Sequence, residues 1–109
     1  MNRGDVWWVE FLNPVGGEIQ KRRPCVIVSN DDSNRYLNRV QVVPLTSSVE
    51  KLRDGEAYVN VGGKPGKALA TQIQTASKLR LLRKMARLTD FEIARVEDAI
   101  RVQLDLENK

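Results

Sequence analysis

A chain of 109 residues has room for one domain and one modest core, so pairing with a second copy would be a natural way to bury more surface. Its 41% hydrophobic and 29% charged content is ordinary for a folded protein and argues against disorder, and a net charge of +4 favours an acidic partner, nucleic acid or protein. No apolar run approaches the roughly 18 residues of a membrane span, and the absence of histidine together with a single cysteine excludes internal disulfides, Cys/His zinc sites and histidine-based triads.

Residues 5–11 (DVWWVEF) are aromatic and β-branched and are expected to form the first strand. Asn13-Pro14 stops it, and Gly16-Gly17 opens a polar loop running to Arg23. Residues 24–29 (PCVIVS) read as a buried strand that begins at its proline, and residues 30–34 (NDDSN) as a turn or a single helical turn. A third strand is expected over residues 40–46, with Pro44 marking an edge or a bulge.

Residues 56–61 (EAYVNV) alternate as a half-buried strand does, and Gly62-Gly63 with Pro65-Gly66 ends it. Another strand is expected over residues 67–75, with one or two short ones over residues 79–88. The last segment is the clearest helix. Thr89 and Glu92 have the spacing of a capping box, and Ile93, Val96, Ile100 and Leu104 form one apolar stripe. The sum is a single domain over residues 1–109, mainly β: a small, partly open barrel with a C-terminal helix packed on it. The start MNRGDVWW lacks the order of a secretory signal, and one unpaired thiol fits a reducing cytoplasm.

Taken singly, the polar residues of these segments have ordinary explanations. An arginine in KRR is usually a solvated charge, and a threonine on a strand is usually there for packing. Cys25, inside an apolar run, reads as an inert buried thiol. Trp7 and Trp8 are neighbours on a strand and so face opposite ways; one belongs to the core, and the other stacks on a base, meets a partner or sits half-exposed, with a structural role favoured for both. Arg80, Arg83, Lys84 and Arg87 form either a solubilising face or a docking surface for RNA or an acidic protein.

The ordered set says more than its members. RGDVWWVEF at residues 3–11, PVGGEIQKRRPCVIVSN at residues 14–30, VVPLT at residues 42–46 and ALATQIQT at residues 68–75 together resemble the MazF/PemK toxin family across nearly the whole chain. The resemblance implies an SH3-like barrel of the CcdB/MazF kind, usually a homodimer, that cuts single-stranded RNA at short motifs and is restrained by a small acidic antitoxin. It implies Arg23, Thr46 and Glu18 as catalytic residues and Arg3, Gly17, Ser47 and Gln72 as RNA contacts, with neither metal nor cofactor. The sequence departs from the family pattern at Thr71, where an acidic residue is common, and at Gln74, where a basic one is common. Base preference at the cut is the property these departures touch.

The chemistry works without histidine because RNA carries its own nucleophile, the 2′-hydroxyl. The planar, permanently charged fork of Arg23 suits charge building on phosphoryl oxygens, and Thr46 suits a hydrogen bond that fixes their orientation. Glu18 is the candidate base, its reference pKa of about 4.3 requiring burial to raise it. Two readings from other classes compete: a non-enzymatic CcdB-like topoisomerase poison, and an SH3-like nucleic-acid-binding module that binds RNA without cutting it.

Overall fold

The computed structural model describes residues 1–11 and 22–107. The expected stop at Asn13-Pro14 and the Gly16-Gly17 loop, and with them Gly17 and Glu18, lie outside the described residues.

Seven strands form one curved sheet. Strand β1 is Asp5–Glu10, β2 Arg22–Ile27, β3 Arg39–Thr46, β4 Glu56–Val61, β5 Lys64–Leu69, β6 Gln74–Ser77 and β7 Leu81–Arg87; helix α1 is Asp31–Tyr36 and helix α2 Asp90–Leu104. The order across the sheet is β4-β5-β3-β2-β1-β7, with β6 also paired to β3. Every strand pairing among the described residues is antiparallel. Strands β4 and β7 end the sheet without pairing to each other, so the barrel expected from the sequence is a half-barrel with an open seam.

Both faces of the central strands are buried, which explains why residues 24–29 read as a continuous apolar run rather than an alternating one. On one face Val6, Val26, Val43 and Leu45 pack with Val96 and Ala99 of α2. On the other Val9, Cys25, Ile27, Val40 and Val42 pack with Phe11 and Leu81, and Trp7 lies against them.

Several boundaries differ from the sequence reading. Strand β2 starts two residues before Pro24, and Pro24 pairs with Trp8 inside the sheet. Pro44 is buried on a central strand, not an edge. It falls between the pairing of β3 with β6, which ends at Val42, and its pairing with β5, which starts at Leu45, so its missing N–H costs no ladder bond. The strand expected over residues 67–75 is two strands, split by a 3-10 turn at Ala70–Gln72, and Pro65-Gly66 lies within β5. The β4–β5 hairpin turns at Gly62 and Gly63, whose φ values of +57° and +87° are those that glycine adopts without a Cβ penalty.

Helix α1 is longer than one turn; Asn30 caps it by accepting from the Ser33 amide. Helix α2 begins as its sequence specifies. The Thr89 hydroxyl accepts from the Glu92 amide at 3.2 Å and the Glu92 carboxylate accepts from the Thr89 amide at 3.0 Å. The same carboxylate accepts from the Asn60 amide, tying the start of the helix to β4. Val96 and Ala99 are the buried residues of α2, with Ile93 and Ile100 packed beside them. Burying a side chain like Val96 contributes about 1.5–3 kcal/mol. Leu104, expected in this stripe, is 49% exposed.

Candidate active site

The antiparallel register of β2 on β3 pairs Cys25 with Pro44. Carried two residues further, it sets Arg23 across from Thr46. At this point β3 takes up β5, with Thr46 opposite Lys67. The approach is close: a Cβ on Gly66 would collide with the Thr46 carbonyl oxygen, so glycine is needed there to bring β5 onto the end of β3.

Arg23 and Thr46 line one cleft of about 390 Å³, and Ser47 lines it beside them. Strands β1 and β2 contribute Trp8, Arg22 and Pro24 to one wall; Val61, Lys64 and Pro65 from the β4–β5 hairpin form another. Val59 of β4 and Met85 of β7 also reach it, so the cleft bridges the open seam between the two ends of the sheet.

Its charge is one-sided. No described carboxylate lines the cleft. Arg22 is paired with Glu10 at 2.9 Å, whereas no described carboxylate pairs with Arg23 or Lys64. The Thr46 hydroxyl accepts from the Ser48 amide at 3.3 Å, which leaves its own proton to donate. Two cations with no carboxylate partner among the described residues and a hydroxyl donor converge on a hollow with apolar flanks. Such an arrangement receives an anionic group attached to something flat or greasy.

A buried ion pair sits behind Thr46. Lys67 and Glu56 meet at 2.9 Å, with side chains only 7% and 12% exposed. Burial acts to raise the Glu56 carboxyl, but hydrogen bonds from Lys67 and the Arg53 amide outweigh it and hold the group below its ordinary value. Lys67 also donates to the Lys51 carbonyl, and the Tyr58 hydroxyl donates to that of Glu50. These bonds fasten the segment of residues 47–55, which leads out of Thr46.

The other residues singled out from the sequence stand elsewhere. Arg3 donates to the Val28 carbonyl at 3.0 Å and pairs with Glu97 of α2 at 2.8 Å, in a separate hollow bordered by Val28 and Ile100. Gln72 is half-buried in the 3-10 turn before β6 and does not line the Arg23–Thr46 cleft. Glu18 and Gly17 are outside the described residues. Cys25 is a buried free thiol, as expected, and burial pushes its pKa well up despite the nearby charge of Arg23. In the basic run, Lys84 and Arg87 both pair with the buried Asp5. The sequence reading passed over Lys64, and its one available signal was a lysine directly after a Gly-Gly turn. It also favoured a structural role for Trp8, which lies on the cleft wall.

The fold and the cleft define a class: a half-barrel protein with a helix against one face and a cationic, hydroxyl-bearing cleft at its seam. A family model described as PemK-like, MazF-like toxin of type II toxin-antitoxin system matches residues 2–104, and the chain belongs to that family. It is 33% identical to endoribonuclease MazF9 of Mycobacterium tuberculosis, over 97% of this chain and 98% of that protein. It is also 33% identical to endoribonuclease MazF of Staphylococcus epidermidis, over 99% of this chain and 94% of that one. Its fold matches a solved structure titled endoribonuclease in complex with its cognate antitoxin from Mycobacterial species, with a TM-score of 0.84 at 22% identity over 100% of this chain and 99% of that one.

Proposed function

We propose that this chain is the toxin of a type II toxin–antitoxin pair and acts as an endoribonuclease on single-stranded RNA, with the scissile phosphate seated between Arg23 and Thr46. The observation that carries the reading is an arginine with no described carboxylate partner, across from a threonine with a free proton, in a cleft lined by no described carboxylate.

In the reaction the RNA 2′-oxygen attacks the adjacent phosphorus and forms a bond to it while the bond from phosphorus to the 5′-oxygen breaks. The products are a 2′,3′-cyclic phosphate and a 5′-hydroxyl. Arg23 neutralises the charge that builds on the non-bridging oxygens, and Thr46 donates to one of them and fixes their orientation. Ser47 binds RNA at the same rim. Glu18 is proposed, on the sequence argument alone, as the group that takes the 2′ proton; a second proton must reach the departing 5′-oxygen. No described residues gather three Asp, Glu or Cys side chains as a metal cradle, and the mechanism assigns no step to a metal or cofactor.

Gln72 stands away from the scissile phosphate in this reading and meets RNA that extends beyond the cleft, whereas Arg3, held by Glu97 and the Val28 carbonyl, is assigned no RNA contact. The partners are single-stranded RNA, an acidic antitoxin segment that occupies the cationic cleft, and a second copy of the chain. The compartment is the cytoplasm, in keeping with one buried, unpaired thiol; no described helix is long and apolar enough to cross a membrane.

The test is incubation of the purified protein with a long single-stranded RNA in EDTA, beside Arg23→Ala and Thr46→Ala. Wild type is expected to release fragments ending in cyclic phosphate, and both variants to lose most of that activity. Intact RNA with wild type, or equal cutting by Arg23→Ala, overturns the reading. RNA binding without cleavage would instead support the nucleic-acid-binding module. Toxicity that persists with Arg23, Thr46 and Glu18 all changed to alanine would support the topoisomerase poison.

A further inference from the structure

We infer that Trp8 and Lys64, on opposite walls of the cleft, form a nucleotide subsite beside the scissile phosphate: the indole face stacks on one base, and the ammonium holds the adjoining backbone phosphate. The inference rests on the ribonuclease reading above and adds to it a named pair of binding residues.

The strand pattern puts Trp8 there. On β1, Val6 and Trp8 share a face; Val6 is fully buried in the core under α2, while Trp8, two residues nearer the strand end, is only half-buried and borders the cleft. Its strand neighbours are Pro24 on one side and Arg83 on the other. Trp7 points the opposite way, into the second core. Of the two tryptophans only Trp8 lines the cleft, and a large aromatic left half-exposed at a cationic hollow has a face to offer a base.

The shape of the cleft agrees. At about 390 Å³ it falls in the range of pockets that take a whole small molecule, about 300–1,000 Å³, and exceeds what a phosphate alone needs. Pro24, Val61 and Pro65 make its flanks apolar, which suits the flat surface of a base and would be wasted on a phosphate. Lys64 is exposed at the start of β5, directly after the Gly62-Gly63 turn, with no ion pair to a described carboxylate. By contrast, Arg22 on the other wall is already held by Glu10. Stacking tolerates any base, so the subsite would strengthen binding at one nucleotide next to the cut without dictating its identity.

Two measurements test this on the full chain. In the first, cleavage kinetics are read on a short RNA and on copies in which each nucleotide flanking the cut is made abasic in turn. Wild type is expected to lose about tenfold to a hundredfold in KM at one position, with kcat moved far less. Trp8→Leu should start from the higher KM and show no further penalty there, whereas Trp8→Phe, which keeps a ring, should retain most of it. Lys64→Ala should raise KM and lower the logarithmic salt dependence of binding by about 0.7, the share of one single-strand phosphate. In the second, Trp7→Phe leaves Trp8 as the sole tryptophan, and its fluorescence should be quenched by a fully 2′-O-methylated RNA that cannot be cut. If the RNA is cut normally but Trp8→Leu and wild type lose equally at every abasic position, the subsite is wrong and the nuclease stands. If wild type does not cut RNA and the Trp7→Phe protein shows no quenching by the methylated strand, both readings fall. Quenching without cutting would keep the subsite and remove the nuclease.

Discussion

Two arginine-bearing regions lie at different places on this small molecule, and they treat charge in opposite ways. At the corner where the N-terminus meets α2, every cation named above has an anion. Arg3 meets Glu97, and Arg87 and Lys84 both meet the buried Asp5. The Arg3 amide also donates to Asp31, and this bond, ahead of the one from Asn34, holds the Asp31 carboxyl below its ordinary value. At the seam, Arg23 and Lys64 face a cleft with no described carboxylate on its walls. Cations satisfied inside the fold hold elements together. Cations left facing a hollow await an anion from outside. Residue type does not separate these two jobs, and neither does position in the chain; partnership does.

Removing the arginine that has no described carboxylate partner should hit catalysis hardest and stability least. Arg23→Ala should lower RNA cleavage by about a hundredfold to a thousandfold, the usual loss on removing one donor from a developing oxyanion. Its urea midpoint should shift by no more than about 0.5 kcal/mol worth of stability, because no described ion pair is lost. A variant that unfolds early while cutting normally would make Arg23 a structural residue after all.

The Lys67–Glu56 pair sits at the seam yet belongs with the satisfied cations. Lys67→Met strands a carboxylate that is 12% exposed and should cost about 3 kcal/mol, while Lys67→Met with Glu56→Leu should recover much of that loss. The pH dependence has a definite sign. The folded pKa of Glu56 is depressed, so its stabilisation is fully present above the unfolded value of about 4.3 and drains away as pH falls below it. The stability curves of wild type and Glu56→Gln should therefore run parallel near neutrality and converge as acid is added below about pH 4.5. Curves that stay parallel into acid would remove the pair as the cause.

Gly66→Ala probes the backbone that brings the site together. The new Cβ must push the Thr46 carbonyl away, a clash that typically costs about 1–3 kcal/mol. Because the atom displaced belongs to Thr46, cleavage by the folded protein should fall along with stability. Cleavage per folded molecule equal to wild type would show that Thr46 tolerates displacement.

How much of this was legible beforehand follows from the range of each interaction. The capping box at Thr89 and Glu92, the alternating strand at residues 56–61 and the buried run at residues 24–29 were readable because local spacing decides them. Arg23 and Thr46 were nameable only as members of an ordered set; that they share one cleft follows from the register of β2 on β3, a pairing across some twenty residues that no local pattern records. The split of residues 67–75 into two strands was hidden because β3 changes partner from β6 to β5 along its length, and the 3-10 turn between them is a tertiary demand. Lys64 and Trp8 became part of a site only once the half-barrel brought the β4–β5 hairpin opposite β1. The pairing of Lys84 and Arg87 was equally invisible, because Asp5 lies about eighty residues away.

Arg87, a cation satisfied inside the fold, should matter least of all. Arg87 donates to the Arg3 carbonyl at 2.7 Å and lies 3.4 Å from Asp5, but its side chain is 48% exposed. Solvent screens such a pair, and its loss should cost no more than about 1 kcal/mol. Asp5 stays satisfied in Arg87→Ala, because Lys84 remains 3.5 Å away and the Asn2 amide still donates to it at 2.9 Å. Urea unfolding should therefore register a slight loss that shrinks further in high salt, and RNA cleavage should stay within about twofold of wild type, the margin expected for a surface change away from the cleft. A tenfold fall in cleavage with unchanged stability would mean that a cation already paired inside the fold also serves the RNA. The presence or absence of an internal partner would then no longer tell the two kinds of arginine apart.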